Sequence, residues 1–101
     1  MQATLTYSEH AEERMALRGF SYDDVEFVIA HGKRTTGADA RHYFLRQSDL
    51  RLHQYREWSR LTGTAVVLSL DESTVVTVFR PADGLKGIRR KCQEFQRRRA
   101  A

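Results

Sequence analysis

Three side chains that can do chemistry recur at helical spacing near the start of the chain. His10, Arg14 and Arg18 are four residues apart, so a helix would place all three on one face. A histidine exchanges a proton near neutral pH, and an arginine holds a phosphate with a planar fork of donors. The spacing therefore indicates a surface that binds a phosphate and moves a proton beside it.

The periodicity of this segment also predicts where that surface points. At ~100° per residue from His10, Leu17 falls near ~−20° and Ala11 and Met15 near ~100° and ~140°, on either side of the arc from His10 to Arg18, whereas the glutamates and Ala16 fill the opposite arc. We therefore expect the three side chains on the apolar face, beside a gap in the fold. An unpaired buried charge is costly, so arginines there need a bound anion or a carboxylate. The alternative is that they reach water at the domain edge or pair internally.

Further candidates lie on segments that are predicted to be strands. Arg80 ends the valine-rich run Val75–Arg80, and it either reaches water or faces the same gap as His10. His42 and Tyr43 lie in an aromatic segment and point to opposite faces of its strand. The alternation does not tell which face meets the core, so His42 is either structural or a proton-transfer group.

Patterns that are typical of metal or cofactor sites are absent from the sequence. His31, His42 and His53 lie in different segments, and there is no His-x-x-x-His or Cys-x-x-Cys pair. The chain also has no phosphate-binding glycine loop and no dinucleotide fingerprint. The sequence therefore predicts no metal site and no cofactor, and Cys92 reads as a small core residue.

The positive charge of the chain is concentrated in its last fifth. Residues 1–80 carry ten Lys/Arg and eleven Asp/Glu, whereas residues 81–101 carry seven Lys/Arg and two Asp/Glu. A basic segment on a near-neutral body is typical of an arm that binds phosphates, the alternative being a solvated tail that aids solubility. The candidate nucleic-acid-binding side chains of this segment are Lys86, Arg89, Arg90, Lys91, Arg97, Arg98 and Arg99.

Length and composition limit the class of protein. A chain of 101 residues with 41% hydrophobic and 30% charged residues is typical of one globular domain, here residues 1–101. Its apolar runs are too short to span a membrane, and no secretory leader opens it. One cysteine cannot form an internal disulfide. We therefore expect a cytoplasmic domain without a membrane partner; the sequence does not indicate its oligomeric state.

Two capped helices are predicted within residues 1–32. Ser8 can cap a helix that ends near Arg18, where a glycine follows. Ser21 and Asp24 have the spacing of a capping box at the start of the next helix. The short connection between the two predicts a helical hairpin.

Residues 33–80 are predicted to form a small antiparallel sheet with one inserted helix. Lys33–Thr36 and Arg41–Arg46 read as a hairpin, and Ala65–Leu70 with Thr74–Arg80 read as a central strand pair because both are rich in valine. Apolar residues at helix-like spacing favour a helix over residues 49–61, although that segment is ambiguous.

A basic helix is predicted within residues 81–101. Pro81 ends the last strand, and Asp83 or Gly84 opens the helix. Four apolar residues recur at helical spacing and would form a stripe that faces the core: Leu85, Ile88, Cys92 and Phe95. The whole pattern is α+β: a helical hairpin, an antiparallel sheet and a basic C-terminal helix.

These segments together resemble an uncharacterised family of short bacterial proteins. Thr6–Ser21 carries that family's opening pattern, S-x-H-A-x-x-R-M-x-x-R-G-[IF]-S. Arg41–Leu45 resembles its aromatic strand, and Val75–Arg80 resembles its V-[IV]-T-V-[FY]-R strand. Gly84–Lys91 is similar to the basic L-K-x-I-R-R-K ending of its longer members. The resemblance therefore covers nearly the whole chain.

The family is similar in layout to the RelE and BrnT toxins, which are small metal-independent ribonucleases of toxin–antitoxin systems. In those toxins helices precede a curved antiparallel sheet, and RNA lies on the concave face. The resemblance implies a site built from His10, Arg14, Arg18 and Arg80, with Thr77 as an addition. It also implies RNA and an antitoxin-like protein as partners.

Three functions follow as hypotheses. The first is a toxin-like, metal-independent endoribonuclease in which His10 transfers a proton and the arginines clamp the phosphate. A second proton-transfer group lacks a strong signal, and His42 or Tyr43 would have to supply it. The alternative is a non-enzymatic nucleic-acid-binding or regulatory module. The third is a protein-interaction domain whose arginines only pair internally.

Overall fold

Residues 5–37 and 39–90 are described by a computed structural model. In this part of the chain a short first strand and two helices precede four further strands of one five-stranded sheet, a short helix is inserted between the third and fourth strands, and another helix follows the last strand. The elements are β1 (Thr6–Tyr7), α1 (Glu9–Arg18), α2 (Tyr22–His31), β2 (Lys33–Thr36), β3 (Ala40–Phe44), α3 (Tyr55–Trp58), β4 (Ala65–Ser69), β5 (Thr74–Phe79) and α4 (residues 84–90).

The helical hairpin forms where the capping residues predicted it. Ser8 Oγ accepts a hydrogen bond from the Ala11 N–H at 3.0 Å, and α1 ends at Gly19, whose φ of 70° lies in the left-handed region that suits glycine. Ser21 and Asp24 form a complete capping box at the start of α2, at 3.1 and 2.9 Å. These local contacts confirm the two predicted helix starts.

The sheet is antiparallel except at one edge. Its order is β1-β5-β4-β3-β2; β2 to β5 pair antiparallel, and β1 adds a short parallel pair, Thr6 with Thr74 and Tyr7 with Val75. The valine-rich strands β4 and β5 lie inside the sheet, as their composition predicts. The arrangement confirms an α+β fold with an N-terminal helical hairpin and a C-terminal helix.

The two faces of the sheet carry different helices. On the face that we term the hairpin face, Val66 and Val78 pack in one buried cluster with Met15 of α1 and Val25 of α2. On the other face, the α4 face, Ile88 is buried against a smaller apolar cluster of the sheet. The sheet residues of the α4 face are, by register and packing, His42, Phe44, Ala65, Val67, Thr77 and Phe79.

Gly32 allows α2 to meet the sheet closely. A Cβ at this position would lie 2.5 Å from the Val28 carbonyl oxygen and 3.0 Å from that of Phe44. Only glycine fits such a distance to two backbone atoms without a shift of the chain. The glycine therefore ends α2 and lets β2 begin at once beside β3.

The helix predicted over residues 49–61 is confirmed only in part, because it is not a regular α-helix. Tyr55–Trp58 is α-helical, the 3₁₀ turns Leu52–Gln54 and Ser59–Leu61 adjoin it on either side, and a separate 3₁₀ turn covers Gln47–Asp49. The Asp49 carboxylate accepts the backbone N–H of residue 46, and the Gln54 amide oxygen accepts that of residue 51. Each polar side chain thus begins a new turn, and residues 50 and 51 separate the first turn from the helical run over residues 52–61.

Leu52, which contributed to the predicted apolar stripe of that helix, is 93% exposed. Leu61 is fully buried in the cluster of the hairpin face. The helix-like spacing of apolar residues in this segment therefore did not reflect one buried face.

The basic C-terminal helix is present in its first part. Residues 84–90 are helical, Leu85 packs against the sheet, and Ile88 is 3% exposed. The predicted core positions Cys92 and Phe95 lie outside the described residues, as do the predicted nucleic-acid-binding residues Lys91, Arg97, Arg98 and Arg99. No helix within the described ranges is long and apolar enough to cross a membrane.

Candidate functional site

The basic side chains of α1 face solvent and not the core. His10, Arg14 and Arg18, which we term the α1 strip, are all exposed, and the buried residues of α1 are Ala11 and Met15. The prediction that the strip lies on the buried face is therefore wrong. The prediction relied on Leu17 to mark the apolar face of α1, but Leu17 is itself 79% exposed. The narrow face of α1 that carries Ala11 and Met15 is the one that packs on the sheet.

The α1 strip is not neutralised by neighbouring acids. Within residues 5–37 and 39–90, neither Arg14 nor Arg18 lies within ion-pair distance of a carboxylate. The glutamates of α1 project elsewhere around the helix, as the periodicity predicts. Both guanidinium groups are therefore available to an external anion.

The α1 strip follows β5 toward the end of the sheet at which Arg80 lies. Ser8, which caps α1, donates its hydroxyl to the Val76 carbonyl oxygen at 2.7 Å, so α1 begins beside the middle of β5. Beyond the other end of α1, Asp24 binds Arg60, whose carbonyl oxygen accepts a hydrogen bond from Arg80. At ~1.5 Å per residue the strip is about 12 Å long.

Arg80 is oriented by two backbone carbonyl groups. Its Nη2 donates to the Arg60 carbonyl oxygen at 2.5 Å and its Nη1 to that of Thr62 at 3.2 Å. Because a guanidinium group carries five N–H donors, these two bonds leave further donors for a ligand. The side chain is exposed, so Arg80 is a positioned cation at the surface.

The turn that orients Arg80 is attached to α2 by a buried carboxylate. Asp24 accepts from Arg60 Nη2 at 2.6 Å and from Nη1 at 3.1 Å, and its side chain is 5% exposed. Burial raises the pKa of Asp24, but hydrogen bonds from Arg60 and Ser21 outweigh it, and the pKa lies below its ordinary value. The carboxylate therefore stays charged and holds the turn that Arg80 contacts.

Arg80 and His42 line one cleft of about 520 Å³ on the α4 face. The cleft lies between the sheet and α4, and the half-buried His42 and two arginines, Arg80 and Arg90, are among its lining residues. Asp83 also lines it, and its carboxylate is 3.9 Å from Arg90. A histidine beside two arginines can exchange a proton with a group whose phosphate the arginines hold.

The four residues that were predicted to meet in one gap do not meet there. Arg80 lines the cleft on the α4 face, whereas α1 packs on the hairpin face. The α1 strip and the cleft are thus two basic surfaces on opposite faces of the sheet. The alternation of residues along each strand could not reveal this, because it does not tell which face each helix covers.

The two further candidates on the sheet lie on opposite faces. Thr77 is in register with Val67, and Val67 with His42, so Thr77 lies on the α4 face, two strands from His42. Tyr43 lies on the hairpin face, where its hydroxyl donates to Glu72. Tyr43 is therefore remote from the cleft.

Burial and the hydrogen bond to Glu72 raise the pKa of Tyr43. Glu72 also accepts from Arg41 at 2.9 Å and has a positive φ of 59° in the turn between β4 and β5. These contacts assign Tyr43 a role in fixing that turn.

α4 presents its basic side chains to solvent. Lys86, Arg89 and Arg90 are exposed, and with Leu85 they line a shallow groove of about 530 Å³. Ile88 faces inward on the same helix, so packing and charge are divided between two sides of α4. The groove adds positive charge beside the cleft.

Three residues of the cleft region were missed by sequence reasoning. Phe79 and Asp83 line the cleft, and Arg60 orients Arg80 through its carbonyl oxygen. One sequence signal could have identified Phe79. The apolar stripe of α4 needs an apolar surface to pack on, and the phenylalanines that follow His42 and Thr77 at alternate positions, Phe44 and Phe79, form it. No sequence pattern indicates a backbone carbonyl as a ligand of a distant arginine.

No group of three or more His, Cys, Asp or Glu side chains within the described ranges is arranged to hold a metal ion. The chain belongs to the DUF4258 family, a domain of unknown function, whose model matches residues 7–80. No curated protein and no solved structure matches the chain.

Proposed function

We propose that this DUF4258 domain is a toxin-like endoribonuclease that binds RNA at the cleft of the α4 face and cleaves a phosphodiester without a metal ion. The observation that carries the proposal is the cleft that holds His42 together with Arg80 and Arg90. It differs from the sequence-based hypothesis in the histidine, because His10 lies on the other side of the sheet.

The chemistry needs one proton acceptor and fixed positive charge. His42 takes the proton of a 2′-hydroxyl, whose oxygen attacks the adjacent phosphorus and displaces the 5′ oxygen. The products are a 2′,3′-cyclic phosphate and a 5′-hydroxyl, whose proton comes from the solvent that fills the open cleft. Arg80 and Arg90 stabilise the additional negative charge on the phosphorus-bound oxygens.

The groove of α4 supports the same proposal. Lys86, Arg89 and Arg90 attract the RNA backbone irrespective of its sequence, and they adjoin the cleft. We also propose that an antitoxin-like protein covers this surface. The proposed location is the cytoplasm, where the RNA substrate is found. Expression of the chain alone should then slow growth, and a variant without His42 should not.

The experiment compares three histidine variants on a labelled RNA in the presence of EDTA. His42→Gln should lower the cleavage rate at least ~100-fold, because general acid–base catalysis typically contributes that much. His53→Gln, an exposed histidine outside the cleft, is the matched control and should retain the wild-type rate. The proposal is wrong if the wild type leaves RNA intact. A loss in His10→Gln with an active His42→Gln would move the site to α1.

The second candidate function is a nucleic-acid-binding module without catalysis, and Arg14 and Arg18 favour it because both are exposed and neither forms an ion pair with another described residue. Replacing both by Gln should lower the slope of log affinity against log salt by about two, since each phosphate contact contributes about one. Arg51 and Arg56 are exposed and equally without ion pairs among the described residues, so their double Gln variant is the matched control. Equal slopes for both double variants would reject α1 as the binding surface.

A further inference from the structure

One wall of the cleft is apolar and aromatic. Phe79, Pro81 and Ile88 line it together with Arg80. Ile88 is nearly fully buried, whereas Phe79 and Pro81 are half-buried and keep part of their surface in the cleft. A partly accessible aromatic side chain next to a positioned arginine is a surface for a flat ring that carries a phosphate.

The position of Phe79 at the sheet edge explains why its ring stays accessible. β1 pairs only with Thr74 and Val75, so the rest of β5 has a neighbouring strand on one side only. On that side Phe79 is in register with Ala65, the smallest chiral side chain, and it packs against the cluster of Phe44, Ala65 and Ile88. The half-buried residue therefore offers to the cleft only the part of its surface that this packing leaves free.

We infer that the apolar wall at Phe79 receives one unpaired nucleobase, so the cleft selects single-stranded over double-stranded RNA. The inference rests on the proposed function and specifies its substrate class. A base stacks on the Phe79 ring while its phosphate lies between Arg80 and Arg90, the two cations of the cleft. In a duplex the bases are stacked on one another and paired, so none can enter.

The size of the cleft agrees with a single nucleotide. Its volume of about 520 Å³ falls in the range of pockets that enclose one small ligand, roughly 300–1,000 Å³. An RNA helix is recognised by proteins over two successive grooves and through its shape, which needs a broad surface. The cleft therefore suits a base that is turned out of a strand.

The experiment measures the affinity of the full chain for three oligonucleotides of one sequence: single-stranded RNA, the corresponding RNA duplex and single-stranded DNA. We expect at least ~10-fold tighter binding of both single strands than of the duplex, because stacking of one base contributes roughly 1–3 kcal/mol. Duplex binding that is equal to or tighter than single-strand binding overturns the inference, even if the RNA is cleaved. Absence of binding to all three overturns the proposed function as well.

Two phenylalanine variants test the wall itself. Phe79→Leu should weaken single-strand binding about tenfold and leave duplex binding unchanged, and Phe79→Tyr should restore the affinity. Phe27→Leu is the matched control: Phe27 stacks on Trp58 with ring centroids 4.2 Å apart, away from the cleft. Equal single-strand affinity in Phe79→Leu and wild type overturns the inference.

A measurement on the wild type is independent of the stability of these variants. Ultraviolet cross-linking of a uridine-containing single strand, followed by peptide mapping, should label the peptide that contains Phe79. A cross-link confined to α1 would overturn the inference.

Discussion

At the scale of single residues, two arginine–carboxylate pairs of similar geometry have different consequences. Asp24 binds Arg60 across 36 residues of chain and lies in the first turn of α2. Asp49 binds Arg46 only three residues away, at 2.7 Å. The first pair joins a helix to the turn that orients Arg80, whereas the second stabilises one local turn. The two pairs have similar contacts but differ in sequence separation, so replacing each carboxylate compares a long-range pair with a local one.

Replacing Asp24 by Asn should lower the free energy of unfolding by about 2 kcal/mol, because charge-assisted hydrogen bonds to a buried carboxylate are lost. The value is below that for a fully buried pair because the Arg60 side chain is 53% exposed. Urea denaturation measures the effect. Asp49→Asn is the control and should cost less than about 1 kcal/mol, since its pair is local and half-exposed. A larger loss in the Asp49 variant would contradict this interpretation.

At the scale of elements, short-range signals predicted structure better than periodicity did. The capping residues of α1 and α2 and the glycines after them mark both helices, because their hydrogen bonds join atoms within three or four residues. The period of the apolar residues was misleading in α1 and over residues 49–61. In both places exposed leucines, Leu17 and Leu52, contributed to the apparent stripe.

The strands illustrate the same division. The valine-rich composition of β4 and β5 predicted their central place in the sheet, because side chains on both faces must be apolar when helices cover both. The alternation in β3 correctly placed His42 and Tyr43 on opposite faces, but it could not tell which face receives α4. Consequently no local pattern favoured His42 over His10 as the proton-transfer group.

At the scale of the whole molecule, three carboxylates make the stability sensitive to acid. Burial raises the pKa of Asp24 and of Asp49, but hydrogen bonds from Arg60 and Ser21 to the first, and from Arg46 to the second, lower both overall. Hydrogen bonds from Ser69 and Ser73 lower the pKa of Asp71 to about 2.

The sign of the pH effect follows from these shifts. Groups with a lowered folded-state pKa stabilise the fold fully above their unfolded value, ~3.9. That contribution is lost as the pH falls through the folded-state values. We therefore expect the Tm to fall between about pH 5 and pH 2 because of these groups.

Thermal unfolding of the wild type and of Asp24→Asn over this pH range checks the expectation. The variant should lose less stability than the wild type on acidification, because it has already lost one of the three charges. Parallel curves for the two proteins would contradict it.

Several features follow from the amino-acid sequence alone: the α+β class, the two capped helices, the strand pairs and the concentration of basic residues at the C-terminus. These features depend on interactions over a few residues, or on composition, so they can be read from a single chain. Which basic residues share a surface is visible only in the folded chain, where Arg80 and His42 line one cleft and the α1 strip lies on the other side of the sheet. The face of a sheet that each helix covers is set by packing between distant segments, and not by the local pattern of either segment.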